Sequence, residues 1–175
     1  DELEQSRSCL VVVNTKKWAE SIYRSCRERG VKHAFYLSTA LCPAHRMDLL
    51  GEIARRLEAG SPVLCVSTQL IECGVDISFG SAIRFAAGLD SILQTAGRCN
   101  RHKEREHGRV HIVRPPEGEE NLKHLSDIAA GKSACLHVLG EFAAMPAAGR
   151  DLSDPELVER YFEYYFYSRA KDMEY

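Results

Sequence analysis

Short apolar runs alternate along this chain with segments whose apolar residues recur at helical spacing, and that alternation decides what the chain can fold into. Cys9–Asn14 is a Val-rich run with the character of a buried strand. Lys16–Arg29 follows with Trp18, Ile22 and Cys26 on one helical face, and Gly30 is placed to end it. His33–Thr39 is a second strand. Pro43 suits the first turn of a helix carrying Met47, Leu50, Ile53 and Leu57, closed by Gly60. Pro62–Thr68, Ser81–Ala86 and Arg109–Arg114 read as further strands, with a helix expected over Leu89–His102. Strands that alternate with helices of this length predict an α/β fold, a parallel sheet covered on both faces. Ligands of such sheets gather beyond the carboxyl ends of the strands, which puts Thr39 and Thr68 on the functional rim.

Beyond Pro115-Pro116 the pattern changes. A charged stretch, Glu117–Glu120, precedes two expected helices, Asn121–Gly131 and Ser133–Ala144. Ser153 with Glu156 is a capping-box signature ahead of an aromatic-rich helix running to about Lys171.

The eight residues Gln94–Arg101 carry the strongest chemical signal. On a continuous helix Gln94, Gly97, Arg98 and Arg101 would share one face. Two guanidiniums and a carboxamide beside a glycine suit phosphate oxygens, because the arginine fork is permanently charged and matches their geometry. A solvated basic helix face is the alternative. A second stretch, Ser67–Ile77, ends a buried strand in two hydroxyls and then runs to Gly74-x-Asp76. Hydroxyls and backbone N–H groups at a strand end can hold a nucleic-acid phosphate. A helix cap followed by a turn explains the same residues.

Several functions are excluded or left without support. The net charge of −2 argues against a globally basic nucleic-acid binder but not against a local phosphate groove. No apolar run approaches the ~20 residues of a membrane span, and Cys9–Val13 is too short for a signal peptide. Seven cysteines without a CxxC pair fit a reducing, cytoplasmic setting. Cys99, His102, His107 and His111 match no zinc spacing, so no metal site is expected. Ser126–Ser133 approximates a P-loop but has serine for the first glycine and no preceding strand; Gly131–Ser133 reads instead as a break between helices. There is no strand-terminal Asp-Glu pair for magnesium. The chain thus has arginines suited to sensing a nucleotide and no motif that would bind one alone.

With Thr68, Gly74, Asp76 and Gln94–Arg101 in this order, the chain resembles the second RecA-like domain of superfamily 2 helicases. Ser67–Ile77 looks like helicase motif V, and Gln94-x-x-Gly97-Arg98-x-x-Arg101 like motif VI. Leu37–Arg46, Ser67–Asp76 and Gly88–Arg101 together are similar to the CRISPR-associated helicase–nuclease of type I interference systems. The resemblance covers about Cys9–Pro115. It implies an interdomain linker over 1–8, a RecA-like domain over 9–115, a helical extension or insertion over 116–150 and a C-terminal helix over 151–175 leading to a following domain.

In that family ATP, with Mg2+, binds between two RecA-like domains, and an HD nuclease domain degrades the DNA strand. The resemblance then implies catalytic roles for Arg101, Arg98 and Gln94. It implies nucleotide contacts for Gly74, Asp76 and Gly97, and single-stranded DNA contacts for Thr68, Thr39 and Arg46. Implied partners are single-stranded DNA, the first RecA-like and HD domains of the same protein, and the CRISPR surveillance complex, with no membrane. Two rivals stand beside this reading: a helicase-like interaction module without motor activity, and a different superfamily 2 helicase.

Overall fold

Five strands form one sheet in the order β2-β3-β1-β4-β5, and every neighbouring pair is parallel. The computed structural model describes residues 2–72, 76–103, 105–144 and 151–170. The strands are β1 Ser8–Val12, β2 Ala34–Leu37, β3 Val63–Ser67, β4 Ser81–Phe85 and β5 Arg109–Val113. Between them lie α2 Lys16–Glu28, α3 Pro43–Glu58, a 3-10 turn at Gln69–Ile71 and α4 Leu89–Ala96; a short α1, Glu2–Ser6, precedes β1. The expected α/β sheet is therefore the fold.

The inner strands β1 and β3 are largely apolar and buried along their length because both faces of the sheet are covered. Alternate residues of β1 face opposite ways. Leu10 and Val12 join Leu37, Ile53, Val63, Cys65 and Phe79 in one core, which Leu49, Leu50 and Leu57 of α3 cover. Cys9, Val11 and Val13 join Ala19, Leu64 and Val66 in the other, under Trp18, Ile22 and Cys26 of α2. Each fully buried aliphatic side chain contributes about 1.5–3 kcal/mol.

Local signals set the helix ends. The Thr15 hydroxyl accepts the Trp18 amide at 3.2 Å and caps α2. Pro43 occupies the first turn of α3. Gly30 and Gly60 follow the two helices at φ 83° and 63°, a region that favours glycine. The residues assigned to a linker include α1, whose Ser6 hydroxyl lies 2.8 Å from that of Ser81.

By its internal packing the chain divides into two units, Asp1–Phe85 with Gln94–Pro115, and Ala86–Leu93 with Pro116–Tyr175. The sheet belongs to the first. In the second, α5 Ser126–Ala144 and α6 Pro155–Ser168 correct two expectations. The predicted break at Gly131–Ser133 does not exist, since α5 runs through it. Gly131 serves close packing instead: a Cβ there would lie 3.2 Å from both Gly88 Cα and Tyr161 Oη. The cap of α6 is Asp154, whose carboxylate accepts the Glu156 amide at 2.9 Å. Ser153 turns its hydroxyl to Asp151, 2.7 Å away, and so does not act as the expected capping residue.

No helix among the described residues is long and apolar enough to cross a membrane.

Candidate functional site

Helix α4 stops at Ala96, six residues before the expected end, and the residues after it build the site. Phe79 and Cys99 form an isolated parallel bridge. The Phe79 amide donates to Arg98 O at 2.8 Å, and the Asn100 amide donates to Phe79 O at 2.7 Å. Backbone groups that would continue the helix are thus committed to this bridge, and Asn100 takes φ 50° as the chain turns away. The idea that Gln94, Gly97, Arg98 and Arg101 share one helical face is overturned. Gln94 is exposed in the last turn of α4, Gly97 is exposed just beyond it, and both arginines leave from the turn that follows.

That turn meets the segment after β3. Arg101 Nε donates to Asp76 Oδ1 at 2.7 Å, and His102 Nε2 lies 3.8 Å from the same oxygen. The Arg101 and Asp76 side chains are 44% and 75% exposed, so solvent screens the pair and it can exchange for another anion. Arg98 is half-buried, and its Nη2 donates to the Glu72 main-chain oxygen at 2.9 Å. Its Nε is buried without a hydrogen-bond partner among the described residues.

Behind this surface lies a group that sequence reasoning missed. Arg84, the penultimate residue of β4, is fully buried. Its Nη1 donates to Asn14 Oδ1 at 2.6 Å and to Phe85 O at 3.0 Å, and its Nε lies 3.1 Å from Glu72 Oε1. The Thr95 hydroxyl is 3.4 Å from that same carboxylate oxygen. Burying both ions is costly, so removing one partner alone is expected to destabilise by ~3–5 kcal/mol. The available signal was a lone charge inside the Ser81–Phe85 strand, since a strand buried on both faces must supply a charge with a partner.

Of the residues expected to grip DNA, two fall on the same rim. The Thr68 amide donates to Leu37 O at 3.2 Å, at the shared carboxyl end of β2 and β3, and exposed Thr39 stands two residues beyond Leu37. Arg46 sits in the first turn of α3 and is half-buried. Gly74 lies outside the described residues. The segment from Thr68 to Asp76 therefore begins at the rim and ends at Arg101.

The cluster offers guanidiniums, hydroxyls and one exposed carboxylate. Such a set can receive phosphate and sugar oxygens. Among the described residues no group of three or more His, Cys, Asp or Glu side chains is arranged to hold a metal ion.

Residues 5–104 match the family described as CRISPR-associated nuclease/helicase Cas3, C-terminal. The chain belongs to this family. The match contains the site from Asn14 to Arg101 and leaves α5 and α6 outside. Over 57 residues the chain is 53% identical to the CRISPR-associated nuclease/helicase Cas3 of Haloferax volcanii, which covers 32% of this chain and 6% of that protein. Over 101 residues it is 28% identical to the Cas3 of Methanothermobacter thermautotrophicus, covering 58% and 12%. The chain thus spans a small part of the length of the curated relatives it matches. The crystal structure of T. fusca Cas3-ATP superposes with a TM-score of 0.73 at 17% identity, over 98% of this chain and 23% of that one. At that identity the likeness concerns the fold: this is a Cas3-type C-terminal helicase domain with a RecA-like sheet.

Proposed function

We propose that this chain is the second motor domain of an ATP-dependent DNA helicase or translocase acting in CRISPR interference. It supplies Arg101 and Arg98 to ATP held by a first RecA-like domain and grips single-stranded DNA through Thr68, Thr39 and Arg46. Gln94 helps place the nucleotide or the attacking water, while Gly74, Asp76 and Gly97 are assigned to nucleotide binding. The observation that carries the reading is the meeting of Arg98 and Arg101 with the Glu72–Asp76 segment, in a chain that has no P-loop. Arginines without a nucleotide-binding loop belong to half of a site.

Phosphoryl transfer is catalysed mainly by positioning and by stabilising charge on the transferring oxygens. An arginine finger supplied to it is worth ~10³–10⁵ in rate, or roughly 4–7 kcal/mol of barrier. When the finger sits on a separate domain, hydrolysis waits for closure. In this scheme the γ-phosphate competes with Asp76 for Arg101, a solvent-screened contact that costs little to give up. Asp76 is then released to bind ribose hydroxyls or to signal along the segment to Thr68. Because that segment joins nucleotide and DNA contacts, closing and opening would shift the grip on the strand. Mg2+ would neutralise charge on the phosphates, with ligands from the first domain; no residue here is assigned to it. The HD nuclease domain of the same protein and the surveillance complex are the proposed partners. The RecA-like domain is taken as 9–115, with 1–8 as the linker leading into it and the helices beyond 115 connecting it to a following domain.

The test is Arg101→Ala in the full-length protein. DNA-stimulated ATP hydrolysis should be lost while the melting temperature is retained; near-normal turnover would remove Arg101 from the role.

A further inference from the structure

We infer that the buried Arg84–Glu72 pair is a positioning device that holds Arg98 at the angle from which it meets phosphate. The inference rests on the reading of Arg98 as a phosphate-facing arginine.

Glu72 is held through two different groups. Its carboxylate lies 3.1 Å from Arg84 Nε and 3.4 Å from the Thr95 hydroxyl, while its main-chain oxygen accepts Arg98 Nη2 at 2.9 Å. A carbonyl can aim a guanidinium only if its own peptide is fixed. The anchored side chain provides that fixity, and the anchor is itself secured. Arg84 belongs to an interior strand of the sheet, and its Nη1 is tied to Asn14 at the end of β1 and to Phe85 O. The path from sheet to Arg98 therefore runs through the order Arg84, Glu72 side chain, Glu72 carbonyl, Arg98. Four residues later, Asp76 meets Arg101. Both ends of the 72–76 segment thus contact arginines of the single turn after α4.

Stability alone does not account for such a pair. Apolar residues of similar volume usually serve a core equally well or better, whereas a fixed ionic contact imposes one geometry where apolar packing allows several. Catalytic groups work best when a second layer of rigid contacts fixes them. Arg84 and Glu72 touch neither nucleotide nor DNA in this scheme. They act through Arg98.

The test uses the full-length protein with the double replacement Arg84→Met and Glu72→Leu, which leaves no unpaired charge, and separately with Thr95→Val, which leaves both charges in place. DNA-stimulated ATP hydrolysis is measured across ATP concentration, with melting temperature alongside and Arg98→Ala as reference. A double variant that melts within about 5 °C of the parent should lose at least about tenfold in kcat with KM for ATP changed less than roughly threefold. Parental kcat in that variant overturns the inference. If the double variant melts lower than this, Thr95→Val decides: kcat reduced roughly three- to tenfold at the parental melting temperature supports the device, and parental kcat sinks it. Turnover retained by Arg98→Ala would instead count against the reading of Arg98 as phosphate-facing, so the two failures are told apart.

Discussion

Arg101 reaches across 25 residues of chain to set its Nε 2.7 Å from the Asp76 carboxylate, at a place where both side chains stay open to water. The contact joins the turn after α4 to the segment after β3 without locking them. An exposed ion pair typically contributes less than about 1 kcal/mol. It can hold a side chain in readiness and still yield to a more highly charged phosphate.

Arg101→Ala should therefore separate stability from turnover. Hydrolysis by the full-length protein should fall by ~10³–10⁵, the range for losing an arginine finger, with a melting temperature change of no more than a few degrees. Steady-state kinetics and a thermal melt on the same preparation check both halves.

Asp76→Asn should leave the fold intact as well. It removes the charge that holds Arg101, so the affinity for ATP should change less than the coupling between DNA and hydrolysis. The measurement is the ratio of hydrolysis rates with and without single-stranded DNA. An unchanged ratio would argue that Asp76 serves only to park the arginine.

The isolated 175-residue chain should show negligible ATPase activity and weak, salt-sensitive binding to single-stranded DNA. Fluorescence anisotropy at two salt concentrations, with a phosphate-release assay beside it, tests this. Robust turnover from the chain alone would defeat the half-site argument.

Two glycines in α5 should respond oppositely to alanine. A Cβ at Gly140 meets nothing within 4 Å, so Gly140→Ala should stabilise by roughly 0.5–1 kcal/mol through helix propensity. At Gly131 the new carbon would press on Gly88 and Tyr161, and Gly131→Ala should gain nothing or destabilise. Chemical denaturation compares the two.

Buried thiols should make stability fall in alkali. Burial pushes Cys9 from 9.0 up to about 11 and Cys135 up to about 12. Below pH 9 these thiols are protonated in both the folded and the unfolded chain, so their contribution is fully present. Above it the unfolded chain ionises first, and stability is lost as pH climbs through 9 toward 11 and 12, on the order of 1.4 kcal/mol per pH unit for each thiol. At neutral pH a thiol reagent should label exposed Cys42 well before Cys9, Cys65 or Cys135.

The sheet was legible in the sequence because its strands, buried on both faces, show as short apolar runs between helical periods. Thr39 and Thr68 could be assigned to one rim for the same reason: parallel strands end together. What could not be read was contact between distant backbones. The Phe79–Cys99 bridge ends α4 early, yet nothing in Gly97–Arg101 taken locally forbids another helical turn. Glycine at 131 looked like a helix break because its partners, Gly88 and Tyr161, lie far away in sequence. Arg84 stands in the sequence as a lone charge within a strand, and the opposite charge it requires is revealed only by the folded chain.

The enclosed position of Arg84 also bears on how relatives can diverge. A change at residue 84 alone leaves the buried Glu72 carboxylate without its counter-charge, and a change at residue 72 alone leaves the buried Arg84 guanidinium without its own. Viable lineages are expected to keep both or to exchange them in concert, with Asn14 and Thr95 drifting alongside. Residues 72 and 84 should therefore vary as one character across the family, a sign of shared ancestry constraint readable without any structure.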